Sequence, residues 1–318
     1  MGSVGIITKK ELADHLASNR FIILFALITM VSLITVYMAG LNIRQELEGV
    51  AKPRFIFLML FTTSGALFSL VDFVAFFGPL IGLVLGFDTI NRERNQGTLS
   101  KLLSQPIYRD AIINGKFLAG VAIIAITLVS IVLVISGLGL VVLGVVPGGE
   151  ELLRITIYLV ISIVYISLWL GVAILFSILF HSVATWALAV LAAWICFSFF
   201  IPIGANIVAN AMVPQTGEGN PAAMVKIAGI EKALSLTSPM KLYTDSTATV
   251  VDPLRKTTRA VIQMGMMEQF SMTRFSGPLP LAQSLLVVLP YIISLVAITA
   301  VCFAVSYAVF MRQEIRSL

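Results

Sequence analysis

Four long stretches of this chain contain no Asp, Glu, Lys, Arg or His: Phe117–Val146, Ile155–Phe180, Val183–Ala209 and Gln283–Phe310. Each exceeds the roughly 20 apolar residues that cross about 30 Å of hydrocarbon. Two further runs, 21–40 and about 66–88, bring the expected number of spans to six. Composition agrees: 58% of the 318 residues are hydrophobic and 12% charged, with a mean hydropathy of +1.01. The sequence therefore predicts an all-α integral membrane protein. No Ala-x-Ala-like cleavage site follows Ala39, so 21–40 reads as a retained span.

Lys and Arg set the orientation. With the N-terminus inside, the inner pieces hold Lys9, Lys10, Arg20, Arg92, Arg94, Lys101, Arg109, Lys116, Arg312 and Arg316, whereas the short outer loops hold Arg44, Lys52, Arg54 and Arg154. Both termini are thus expected in the cytoplasm. The net charge of +5 is a topology signal and calls for no nucleic acid. A seventh span within 55–71 would carry the basic residues between 92 and 116 to the outside and is rejected on that ground.

The uncharged spans exclude several function classes. Proton relays, ion pathways and voltage sensors need ionisable groups in the bilayer, and the only acids near the expected spans are Asp72 and Asp88. A phosphate-cradling loop is also missing: Gly115-Lys116 is followed by Phe117, with Asp110 where the first Gly belongs. Uphill transport would draw its energy from another chain. A carrier driven by an ion gradient is the disfavoured alternative.

Against this background the polar stretch 93–109, ERNQGTLSKLLSQPIYR, stands out. Gly97 can end a helix extended from the second span, and Thr98 can cap a new one. Leu99, Leu102 and Leu103 then share one face of a helix too short to be stable alone, and Pro106 interrupts it. Such an element wants a partner on the cytoplasmic side.

The pattern Glu93-Arg94-x-x-Gly97-Thr98-Leu99-x-x-Leu102-Leu103-Ser104-x-Pro106-x-x-Arg109, followed by Gly115-Lys116, resembles the loop between the second and third membrane helices of ATP-binding cassette (ABC) exporter permeases of type 2. Within that family the chain looks most like the permeases grouped with nitrous-oxide-reductase maturation. The resemblance implies the type-2 exporter permease fold and a coupling helix at about 93–110 that docks on a separate ABC ATPase. It also implies a second permease copy, identical or related, and no catalytic site or cofactor in this chain, with ATP and magnesium on the partner. The implied location is the cell membrane, the implied direction export. A membrane scaffold or mechanical adaptor, worked by the same ATPase on a partner outside, is the alternative.

The remaining segments follow from this layout. Residues 1–20 read as an interfacial amphipathic helix, with Ile6, Leu12, Ala13, Leu16 and Ala17 on one side and Glu11, Asp14 and His15 on the other. Spans one to five occupy 21–209, an extracytoplasmic segment fills 210–282, and the last span with its basic tail covers 283–318. Pro79, Pro202 and Pro290 fall inside spans and are hinge candidates. Cys196 and Cys302 read as packing residues. Met264, Met266 and Met267 could ligate cuprous copper, but with no Cys or His in their segment they read as adaptable apolar surface; no metal site is expected. Short helices broken at Pro239 and Pro253 suit a cap or re-entrant element over the outer mouth. An uncharged interior suits an apolar or amphiphilic cargo.

Overall fold

The computed structural model describes residues 2–48, 55–63, 69–86, 108–180, 182–212, 221–253 and 278–312. These residues form helices and their connections, with no strand among them. In chain order the helices are α1 (Ser3–Leu16), α2 (Asn19–Glu46), α3 (Ile56–Thr62), α4 (Leu70–Gly86), α5 (Arg109–Leu143) and α6 (Gly149–Leu179). Then come α7 (Val183–Ile195), continued by a π turn (Cys196–Phe200) into α8 (Ile201–Met212), and α9 (Pro221–Ser235), α10 (Pro239–Val251) and α11 (Leu281–Arg312).

Five helical stretches are long and apolar enough to cross a membrane: α2, α5, α6, the α7–α8 unit from Ala184, and α11. α6 is the axis. The most apolar window of α6 is 61% buried inside the protein, against 17% for α7–α8 and for α11, whose outer faces are left for lipid. Fully buried Tyr165, Ile166, Trp169 and Ala173 of α6 meet neighbours on several sides.

Where the sequence reading places its second crossing, the described residues hold two shorter helices. α4 has 17 residues and α3 only 7. Both run beside α6 in its own direction. In α3, the Phe57 N–H donates to Glu151 Oε1 at 3.1 Å, and the Phe61 ring packs edge-on against Tyr158 at 5.8 Å. In α4, Gly78 faces Ile166, Gly82 faces Ile166 and Leu170, and Gly86 faces Ala173. Both series advance together, so the described helices α3 and α4 run in the same direction along α6. Ser69 starts α4: its Oγ accepts the Asp72 N–H at 3.1 Å and donates to the Asp72 carboxylate at 2.7 Å.

Glycines spaced by four bring α4 onto α6, as small residues do where apolar attraction between helices is weak in lipid. A Cβ at Gly82 would lie 2.7 Å from the Ile166 carbonyl oxygen and 2.8 Å from the Leu170 nitrogen. At Gly86 it would lie 2.3 Å from the Ala173 Cβ. The two backbones therefore touch. At the far end of α5, Gly144 adopts φ +62°, the left-handed conformation that glycine permits at a helix end. The chain then turns through Pro147 into α6, where Glu151 Oε2 accepts the Gly148 N–H at 2.8 Å.

Between α8 and α11 the chain re-enters the bundle. α9 lies against α8, with Asn206 donating to Glu231 at 3.5 Å, and α10 returns antiparallel to α6. Tyr243 reaches Ser162 and Tyr165 of α6, while the carbonyls of Thr249 and Val250 reach Arg154. Thr244, Ser246 and Thr247 donate back to carbonyls of their own helix, which lets so polar a helix be buried. Within 210–282, therefore, the stretch 239–251 is interior.

Candidate functional site

The segment singled out in the sequence is framed but not itself described. Glu93, Arg94, Gly97, Thr98, Leu99, Leu102, Leu103, Ser104 and Pro106 lie outside the described residues. Arg109 is the first residue of α5, half-buried behind the exposed Tyr108. On one side of the loop, the described part of α4 reaches Gly86, which faces Ala173 of α6. On the other, α5 is held by α1.

That second joint is ionic and tight. Ile7 packs where a Cβ on Gly115 would stand, 2.7 Å away, and one helical turn later Glu11 Oε1 accepts from Lys116 Nζ at 3.0 Å. Both partners are buried. Lys10 adds a contact to Glu11 at 3.3 Å and one to Asp14 at 3.6 Å. Burial by itself would raise the Glu11 carboxyl, but attraction and hydrogen bonding from Lys116, then Lys10, leave it below its ordinary value. The sequence reading put Glu11 on the polar side of its helix and counted Lys116 among the inner basic residues. Instead they are partners, and the packed face of α1 is Ile7–Glu11, while Ile6 and Leu16 point outward. Spacing within one helix cannot reveal a partner 105 residues away.

The three prolines have different surroundings. Pro79 is buried in α4 and cannot donate to the Ala75 carbonyl; the Tyr165 hydroxyl donates to it instead, at 2.7 Å. Pro202 follows the π turn, whose exit is marked by the Ile201 N–H bonding back to the Cys196 carbonyl. Pro290 sits in α11 on an exposed face, with Ser294 Oγ donating to its carbonyl at 2.8 Å. Only Pro79 adjoins the interior polar cluster, in which Ser162 and Tyr243 share a 2.9 Å hydrogen bond and the Tyr165 and Tyr243 rings stack at 4.4 Å.

Arg154, counted from the sequence among outer-loop charges, is completely buried. Its guanidinium donates to Glu150 Oε1 at 2.9 and 3.2 Å, to the carbonyls of Thr249, Val250 and Leu279 at 3.3, 3.1 and 2.6 Å, and to Ser284 Oγ at 3.2 Å. It also stands 5.4 Å over the Phe55 ring. One side chain thus joins the start of α6, the end of α10 and the start of α11. A planar fork of five N–H groups can do this; an ammonium cannot. The signal in the sequence was Glu150 four residues before Arg154, but the other acceptors are set by the fold.

α10 also corrects the expectation of an uncharged interior. It carries Lys241 and Asp245 into the bundle, joined at 2.9 Å, with the Asp245 side chain 4% exposed and that of Lys241 37%. Charge thus enters the interior at the Arg154 end of α6 and on the re-entrant helix, while 155–180 is as uncharged as it reads. Of the cysteines, Cys302 Sγ packs 3.6 Å from where a Gly171 Cβ would stand, and Cys196 is exposed on the π turn. Met264, Met266 and Met267 lie outside the described residues.

Comparison with known proteins agrees with this architecture. The family model described as ABC-2 family transporter protein matches residues 6–315. The chain is 31% identical over 126 residues to the probable ABC transporter permease protein NosY of Stutzerimonas stutzeri, covering 40% of this chain and 41% of that protein. It is 32% identical over 126 residues to its namesake in Pseudomonas aeruginosa, covering 40% and 42%. These matches span about two fifths of the length of those curated relatives. With a family match over nearly its whole length and five helices fit to cross a bilayer, the chain belongs to the ABC-2 transporter family, as a multi-pass cell-membrane protein of the permease kind.

Proposed function

We propose that this chain is the membrane-spanning permease subunit of an ATP-driven exporter. It crosses the membrane six times, through α2, the α3–α4 pair, α5, α6, α7–α8 and α11, with both termini cytoplasmic. It works as a dimer with a second copy or a close relative. Two separate ABC ATPase subunits bind ATP and magnesium, and the loop around 93–110 carries their closure to the permease. This chain has no catalytic site of its own.

The observation that carries this reading is the close packing of both joints flanking the loop. α4 lies so close to α6 at Gly82 and Gly86 that neither position has room for a Cβ, and α5 is tied to α1 by the Glu11–Lys116 pair. A push on the loop would therefore reach α4 and α5 as displacements of whole elements, the kind of motion that re-gates a packed bundle. Charge supports the orientation. Among the described helical spans and α1, Lys9, Lys10, Arg20, Arg109, Lys116 and Arg312 gather at the α1 end, while Arg44 and Arg154 stand at the other.

The test is to purify the tagged chain from its own membranes in mild detergent and identify what remains bound by mass spectrometry. A stoichiometric ABC ATPase is expected, and Leu102→Asp with Leu103→Asp should release it while membrane insertion survives. Retention of the ATPase by that variant would refute docking through this face. ATP hydrolysis without cargo movement in reconstituted vesicles would favour the adaptor reading.

A further inference from the structure

We propose that the start of α4, where Asp72 adjoins the hydroxyl cluster of Tyr158, Ser162 and Tyr243, is a recognition site for an organic cation, an apolar molecule carrying an ammonium group and an oxygen acceptor. This inference deepens the permease reading and rests on it for the notion of a cargo path.

Depth is the first argument. α4 runs along α6 in its own direction, and Gly78 faces Ile166. Asp72, six residues before Gly78, therefore stands level with Val160, six residues before Ile166. That is about 6 Å outward of Val164, the midpoint of Gly149–Leu179. Every other residue of α4 is buried or half-buried, whereas Asp72 is exposed. A carboxylate at that depth is costly and marks function.

The absence of a counter-charge is the second argument. Glu11 pairs with Lys116, Glu150 with Arg154 and Asp245 with Lys241. Asp72 accepts from the Ser69 hydroxyl at 2.7 Å, and among the described residues no cation reaches it. The amide oxygen of an asparagine would accept from Ser69 as well and bring no charge into the layer.

The third argument is a spare donor at the same level. Tyr158 is buried, and its hydroxyl has no hydrogen-bond partner. It lies beside the hydroxyls of Ser162 and Tyr243 and close enough to Asp72 to feel the carboxylate charge. Ser162 donates to the Tyr158 carbonyl at 2.8 Å, so in the 2.9 Å bond between Ser162 and Tyr243 the tyrosine is the donor. The Tyr158 O–H is the one left over, and the Phe61 ring of α3 stands edge-on to it at 5.8 Å. A ligand with an ammonium for Asp72 and an oxygen for the Tyr158 O–H would satisfy both groups. The helices around them are apolar and suit its hydrocarbon part.

The probe is rhodamine 6G, a fluorescent cationic amphiphile, titrated into the purified full-length chain in detergent and read by anisotropy. One saturable site per chain is expected, and dodecylamine, protonated at neutral pH, should displace the dye at about one tenth of the concentration that dodecanol needs. Asp72→Asn should weaken binding about tenfold and Asp72→Glu should restore most of it, while Tyr158→Phe should weaken it about fivefold. Tyr158→Phe removes a hydroxyl with no hydrogen bond to lose, so this arm stays decisive if Asp72→Asn fails to fold. Equal displacement by dodecanol, binding unchanged in Asp72→Asn or in Tyr158→Phe, or displacement by millimolar sodium would each overturn the proposal. Because this binding needs no ATPase, its failure leaves the permease reading standing, and loss of the ATPase in the co-purification leaves the dye result interpretable.

Discussion

Tyr165→Phe is the sharpest probe of how α4 is held against α6. Pro79 leaves the Ala75 carbonyl without its helical donor, and the Tyr165 hydroxyl supplies one at 2.7 Å from a fully buried position. Both Ala75 and Tyr165 are buried. An orphaned buried carbonyl costs about 1–3 kcal/mol, and side-chain hydrogen bonds within membranes reach at most about 1.7 kcal/mol in double-mutant cycles. A loss of about 1.5 kcal/mol is therefore expected from the overlap of those ranges. Phenylalanine keeps the ring that stacks on Tyr243, so packing is not removed with the hydroxyl. The decisive comparison is the same substitution in a Pro79→Ala background, where residue 79 regains an N–H for Ala75. There Tyr165→Phe should cost less than about 0.5 kcal/mol, a coupling of about 1 kcal/mol. Reversible unfolding in mixed micelles, run on the four variants, measures it. Equal costs in both backgrounds would show that the Tyr165 hydroxyl does not stand in for the missing helical bond.

Gly82→Ala should push α4 off α6, because the new methyl meets backbone atoms at 2.7 and 2.8 Å that cannot rotate away; a loss of about 1–3 kcal/mol in the same unfolding assay is expected from overpacking, and a neutral result would refute the backbone contact. Arg154→Ala strands the acceptors of three elements and should cost about 3–5 kcal/mol. Hydrogen exchange of 239–251 should accelerate in it, and Arg154→Lys should rescue little; full rescue by lysine would argue against the multi-acceptor role. The Glu11–Lys116 joint has a defined pH sign. Its carboxyl is held below the ordinary 4.5, so the stabilisation is fully present above that value and lost as pH falls through the lowered one. Proteolysis of α1 should therefore be flat from neutral pH down to about 5 and rise only below about 4.5, with Glu11→Gln removing the step.

Much of this protein was legible because the bilayer imposes a one-dimensional rule. Length and apolarity alone decide that α2, α5, α6, α7–α8 and α11 can cross, and no tertiary contact can make a charged 20-mer do so. Pro239 and Pro253 bound α10 as read, because proline fixes its own backbone angle wherever it occurs. The family pattern at 93–109 was equally readable, being a string of residue types at fixed spacing. The assembled structure decided matters of proximity. The seven residues of α3 are indistinguishable by composition from part of a span, and only register against Glu151 and Tyr158 shows them running beside α6. Arg154 reads as a loop charge until Thr249, Val250, Leu279 and Ser284 converge on it across up to 130 residues. A hydroxyl-rich stretch such as 244–249 reads as exterior because its own polarity says so; it is buried because its hydroxyls bond back to their own helix and because Arg154 and Tyr165 come from elsewhere to meet it. What a chain may do in hydrocarbon is a property of each segment, whereas which charge is satisfied, and by whom, exists only after the segments meet.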